Sequence, residues 1–171
     1  MPQTVSEAIR RRLDWRSFAE RPVPREDVIA ILDAARWAGS GKNAQHWRFV
    51  LVEGREELKW LADHSPSGRW LAGAAFAVIV TTDPSYPYHK LDAGRALTNM
   101  QLEAWSRGIV SCITTGFDER AIRERYGIPE GRSIDLIVGF GYPDRRLVGR
   151  KSRRPLRELA YEGRYGAPLG A

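Results

Sequence analysis

Ala38-Gly39-Ser40-Gly41-Lys42-Asn43-Ala44-Gln45-His46-Trp47 is the stretch on which the reading of this chain turns. Before it, Glu26 to Ala38 sets Val28, Ile31, Leu32, Ala35 and Ala38 on one apolar face at helical spacing, which predicts an amphipathic helix. After it, Phe49-Val50-Leu51-Val52 runs without alternation, as a strand covered on both faces does. The break between them carries chemistry of its own. Gly39 and Gly41 open backbone geometries closed to other residues. Ser40, Asn43 and Gln45 bring side-chain donors and acceptors, and the loop's N–H groups are spaced to line a site. A plain polar helix-to-strand loop has the same composition, and chemistry alone does not separate the two readings.

The alternation of helix and buried strand continues outward. Thr4-Val5-Ser6-Glu7 has the form of a capping box, so a helix starts at the N-terminus and runs to about Leu13. Pro22 and Pro24 keep the next segment irregular. Downstream, Glu56 to His64 reads as a short helix and Ala74 to Thr82 as a second buried strand. Lys90 to Arg107 is a long helix, apolar on more than one side, as a central or interface helix is. Gly108 closes it, and Ile109 to Ile113 is a third strand. Asp118 caps a helix that Gly127 stops, and Ile134 to Phe140 is a fourth strand. Pro155 to Glu162 is expected to form a last helix. The expectation is a layered α/β fold with helices on both faces of one sheet, in a single domain over residues 1–171.

Composition narrows the function. A chain of 171 residues with 43% hydrophobic and 28% charged residues has the make-up of a soluble globular domain. No apolar run approaches the roughly 20 residues of a membrane span. Met1-Pro2-Gln3 leads into a polar, arginine-rich segment rather than a secretory signal. Cys112 has no cysteine to pair with, and His46, His64 and His89 stand apart. A cytoplasmic protein without a structural metal is expected. The net charge of +6 is unevenly placed. From Asp144 onward eight basic residues stand against three acidic ones. Arg10-Arg11-Arg12 with Arg16 forms the other cluster, at the opposite end of the chain. Two such clusters point to an anionic ligand: a phosphate, a nucleic acid or a membrane surface.

No G-x-S-x-G elbow, no Walker A sequence and no G-x-G-x-x-G after the first strand is present, and no spacing implies a nucleophile–base pair. An enzyme built from these residues takes its reactivity from a bound cofactor. Thr114-Thr115-Gly116-Phe117-Asp118 is the second informative loop. It follows a strand and precedes a helix, where ligands of α/β sheets bind and where free N–H groups favour an anion or a polarised carbonyl. A capped strand-to-helix turn needs no ligand and fits the same residues.

Taken in order, these stretches resemble the flavin-dependent nitroreductase family, from Ile9 to about Tyr161. The resemblance is carried by Arg12-Leu13-Asp14-Trp15-Arg16-Ser17-Phe18 with Pro22-Val23-Pro24, and by Ala35 to Trp47. Asp92-Ala93-Gly94-Arg95-Ala96 with Asn99-Met100, Tyr126 to Glu130, Gly139-Phe140-Gly141-Tyr142-Pro143, and Lys151 to Leu156 complete it. It implies a central mixed sheet of four to five strands and an FMN-binding homodimer with active sites at the subunit interface. Arg12, Lys151 and Arg153 would hold the FMN phosphate, which uses both basic clusters. Arg16 would lie near flavin N1 and O2, where a cation stabilises reduced flavin. Leu13, Asp14, Ile113, Thr114, Thr115 and Gly116 would lie along the cofactor. Ser40, Asn43 and Gln45 would approach it from the partner subunit, and the basic tail from about residue 144 would extend onto that partner. NAD(P)H would deliver a hydride, and a nitroaromatic, quinone or other conjugated small molecule would take the electrons, with no side-chain acid or base required.

Four positions depart from the family pattern. Leu13 replaces a second arginine, Asp14 a serine, and Gly39 and His46 prolines. A carboxylate beside a phosphate is unfavourable unless Arg12, Arg16 or Lys151 pairs with it. Asp14 also keeps open a flavin-consuming (destructase-like) or flavin-storing role. A non-enzymatic binder of anions or nucleic acid is the remaining alternative. Its six tryptophans could stack on bases, but most fall on helices or beside strands, where core packing is expected.

Overall fold

The computed structural model describes residues 4–149 and 151–170. Met1, Pro2, Gln3, Arg150 and Ala171 lie outside the described residues, and with them the start of the N-terminal reading and one arginine of the tail. Helices α1 (Val5–Arg11), α2 (Arg25–Arg36), α3 (Arg55–Asp63), α4 (His89–Ser106) and α5 (Glu119–Tyr126) alternate with strands β1 (Arg48–Val52), β2 (Phe76–Thr82), β3 (Val110–Thr114) and β4 (Ser133–Gly141). Short 3₁₀ turns occupy Gly41–Asn43, Arg69–Gly73 and Leu156–Glu158.

The local signals act as the sequence predicts. Thr4 Oγ1 accepts the Glu7 N–H while the Glu7 carboxylate accepts the Thr4 N–H, completing the capping box of α1. The Asp118 side chain accepts the Ala121 N–H at the start of α5, and Gly127 ends that helix at φ 61°. The tail is different. The helix expected over Pro155 to Glu162 is a single 3₁₀ turn. Leu156 and Leu159 are exposed there, so no apolar burial within this chain supports a longer helix.

The sheet order is β1-β2-β4-β3, and all three ladders run antiparallel. The parallel element is a single bridge between Asp14 and Ser111, which lays residues 14–15 along β3. β2 and β4 are central and buried on both faces, which explains their runs without alternation. On one face Phe76, Val78, Val80, Val138 and Phe140 pack against α2 and α4 through Val28, Ile31, Ala96 and Met100. On the other, Ala77, Ile79 and Ile137 meet α3 and α5 through Leu58, Leu61 and Ile122. Each fully buried side chain of this size contributes about 1.5–3 kcal/mol. Register slips between Val80 and Thr81, which leaves Asp135 bulged from β4. Thr82 and Ser133 donate to its carboxylate, and Thr82 also bonds His89, tying the start of α4 to the sheet. Among the described residues no helix is long and apolar enough to cross a membrane.

Candidate functional site

One half of the predicted site forms beside β3. Arg12 is the C-cap of α1, and the chain leaving it pairs with β3 through Trp15 N–H to the Ser111 carbonyl at 3.0 Å. Arg12 Nη1 bonds Asp14 Oδ1 at 2.6 Å. This is the pairing that makes a carboxylate tolerable beside a phosphate. Gln101, buried on α4, donates to Ser111 Oγ at 3.2 Å and reaches the same Asp14 oxygen at 3.5 Å. Arg16 Nε donates to Cys112 Sγ at 3.3 Å, and this bond raises the guanidinium pKa further. From the far end of the chain, Lys151 Nζ donates to the Ile9 carbonyl at 2.6 Å. Burial lowers the Lys151 pKa, and Arg12 and Arg153 lower it further against the opposing pull of Asp14. The two basic segments therefore converge, and Lys151 sits in the field of both arginines. Leu13 is half-buried beneath the tail at Gly149.

The turn after β3 is tightly built. Thr114 is buried, and its hydroxyl bonds Ser67 Oγ at 2.6 Å and accepts the Gly116 N–H at 3.3 Å. Ser67 donates in turn to the Gly116 carbonyl at 3.2 Å. A Cβ at Gly116 would collide with Ser67 Oγ, and one at Gly68 would come within 2.7 Å of Thr114 Cγ2. The loop at 65–68 and the turn at 114–116 interlock. Ser67 thus braces the candidate turn, and no motif in the sequence marks it. Thr115 is exposed, and Ile113 is half-buried against the core. The free N–H groups expected at the α5 start are in part engaged: the Asp118 N–H bonds the His64 carbonyl, and Asp118 itself caps Ala121.

The other half is the loop before β1. Lys42, Asn43 and Gln45 have φ of 51°, 53° and 46°. The left-handed region costs roughly 1 kcal/mol for each such residue, less for Asn. Ser40 Oγ accepts the Gln45 N–H at 3.0 Å, so Ser40 shapes the loop while the Asn43 and Gln45 side chains stand exposed. Asp92 of α4, 1% exposed, accepts the Gly41 N–H at 3.0 Å and meets His46 Nε2 at 3.1 Å. Arg132 donates to the His46 carbonyl at 2.6 Å, and its pKa is lowered by burial first and by Arg48 second. Neither the sequence motif around Asp92 nor the departure at His46 signalled that these two meet.

The halves lie apart. The loop leads into β1 and the basic cradle flanks β3, at opposite edges of the sheet. Three strand spacings, roughly 14 Å, separate those edges. One chain thus carries a cationic cradle and a polar loop, at opposite edges of its sheet. The nitroreductase family model matches residues 9–68 and 62–142, and the chain belongs to the nitroreductase family of oxidoreductases. It is 36% identical over 141 residues to the "Putative NADH dehydrogenase/NAD(P)H nitroreductase" of Archaeoglobus fulgidus, covering 77% of this chain and 81% of that one. The iodotyrosine deiodinase of Thermotoga neapolitana is 28% identical over 161 residues, covering 79% and 86%. A solved structure of an oxidoreductase containing FMN superposes with a TM-score of 0.84 at 26% identity, covering 98% of this chain and 96% of that one.

Proposed function

We propose that this chain is an FMN-dependent oxidoreductase that works as a homodimer. It would take reducing equivalents from NAD(P)H and deliver them to a nitroaromatic, a quinone or another conjugated acceptor. The observation that carries this reading is the convergence of Arg12, Lys151 and Arg153. A lysine whose pKa is lowered by burial and by two arginines is a place where an anion relieves repulsion. A flavin phosphate fits that charge, and the family membership supports it.

Bound FMN supplies the redox chemistry. The chain's own residues hold and orient it. Arg12, Lys151 and Arg153 bind the phosphate, and Asp14 aims the Arg12 guanidinium. Arg16, already held as a cation beside Cys112, offers its charge to the electron-rich end of the ring. Leu13, Ile113 and the interlocked turn of Thr114, Thr115 and Gly116 give a rigid edge along it. Asn43 and Gln45 reach it from the second copy, which accounts for two half-sites at opposite edges. The exposed Leu156, Leu159 and Tyr165 suit a tail that crosses onto that copy. A cytoplasmic location belongs to the same reading. The pairing of Asp14 with Arg12 gives this carboxylate a positioning role in the cradle, so it does not favour a flavin-consuming enzyme.

The test is a visible spectrum of the purified protein with FMN, before and after anaerobic addition of NADPH or NADH. A flavin band that bleaches supports the oxidoreductase and names the donor. A protein left colourless after incubation with excess FMN overturns the reading.

A further inference from the structure

We propose that His46 and Asp92 form a buried clamp that sets the 39–47 loop, making both of them positioning residues for whatever Asn43 and Gln45 touch. The inference rests on the flavin reading only for the identity of that ligand. Its grounds are local. Three non-glycine residues of the loop hold positive φ, and such backbone persists only where the surroundings over-determine it. Asp92 does so from a core helix. Its Oδ2 takes the Gly41 N–H before the strained residues and the His46 Nε2–H after them, and Arg95 lies 3.5 Å from Oδ1. One carboxylate thus grips both ends of the segment that presents Asn43 and Gln45.

The choice of histidine points the same way. His46 is 4% exposed and stacks on Tyr86 at 4.9 Å, with ring planes 15° apart, a setting that suits any flat apolar ring. Its Nδ1 is buried with no partner among the described residues. An unpaired buried nitrogen is unfavourable, so packing alone does not explain an imidazole here. The Nε2–H bond to Asp92 does, since it gives the buried carboxylate oxygen a second donor beside the Gly41 N–H. Gly41 serves the same geometry: a Cβ there would collide with the Tyr88 ring, so only glycine brings this N–H to Asp92.

The experiment compares the wild-type protein with His46→Gln, which keeps an N–H donor, and His46→Leu, which keeps bulk without one. Two quantities are read in each: the Kd for FMN and for riboflavin, and hydrogen exchange of the Gly41 amide. His46→Leu is expected to bind both flavins about tenfold more weakly, as losing one hydrogen bond to a charged group predicts. The Gly41 amide is expected to exchange faster in it, and His46→Gln to restore most of both. Wild-type binding and wild-type exchange in His46→Leu would overturn the clamp, as would a His46→Gln protein no better than His46→Leu. Should His46→Leu fail to fold, Asp92→Leu removes the oxygen that accepts both N–H groups, and wild-type flavin binding with wild-type Gly41 exchange there overturns the clamp equally. If the wild-type protein binds no flavin, the cofactor reading fails on its own, while loss and rescue of Gly41 protection still upholds the clamp.

Discussion

Replacing Arg12 by glutamine is expected to weaken FMN binding by more than one lost phosphate contact, and to leave riboflavin binding nearly unchanged. Arg12 has two tasks in this structure: it faces the cradle, and it neutralises Asp14 at 2.6 Å. A hydrogen bond from a guanidinium to a phosphate contributes about 2 kcal/mol where the donor is mostly covered. Removing it also leaves the Asp14 carboxylate without its cationic partner near the bound phosphate. Asp14 is 57% exposed, so water screens that repulsion to about 1 kcal/mol. The sum, about 3 kcal/mol, corresponds to a loss of affinity on the order of a hundredfold. Adding Asp14→Asn to Arg12→Gln removes only the repulsive part and is expected to recover about fivefold. Fluorescence titrations of FMN and riboflavin against the wild type, the single variant and the double variant separate the contributions. Riboflavin lacks the phosphate, so it reports any general damage to the site. A variant that loses both flavins equally, or a double variant weaker than the single, would refute the cradle as described.

Three further outcomes follow from the same geometry. Lys151 has its pKa lowered below the ordinary 10.5 by burial, Arg12 and Arg153, and a bound phosphate raises it again. FMN binding therefore takes up protons on the alkaline side, and affinity falls as pH rises through that window; calorimetry in buffers of different ionisation heat detects the uptake, and Lys151→Met abolishes it. Gly139→Ala places a Cβ 2.8 Å from both Leu71 Cδ2 and Trp70 Cζ3 in the core, so a loss of about 1–3 kcal/mol is expected, and an unchanged Tm would contradict that packing. The Tyr126 phenol is pushed up to about 12 by burial and by Glu57. Since this lies above its unfolded value, its contribution to stability is complete below pH 10 and fades as pH climbs toward 12, a slope that Tyr126→Phe removes in alkaline denaturation.

The layered order of the fold is legible in the sequence because two periods dominate it. The i, i+3, i+4 face of α2 and the unbroken run of β2 each answer to one physical demand, burial on one side or on two. Caps were legible for the same reason, since Thr4, Asp118 and Gly127 act on neighbours within a turn. Strand direction was not, because helical crossovers leave no mark of whether the next strand returns parallel or reversed. The tail forms a single 3₁₀ turn rather than the expected helix, because its apolar side chains Leu156 and Leu159 have nothing within the chain to bury against, which local pattern does not reveal. At the site, charge was the readable signal: Arg12 and Lys151 stand at opposite ends of the chain and still converge. Ser67 with Thr114, and His46 with Asp92, were illegible, because their pairings span 47 and 46 residues and repeat no pattern.

The placement of cradle and loop at opposite edges of one sheet has a consequence at the level of inheritance. In the proposed dimer each catalytic centre draws its cradle from one polypeptide and its loop from the other. A cell making two defective versions, one lacking the Arg12 cradle and one with a collapsed 39–47 loop, would assemble a mixed pair in which both lesions fall on one centre and the other is whole. Two inactive alleles would then complement each other within a single gene, and a lone allele of either kind would spoil a centre in every mixed pair it entered.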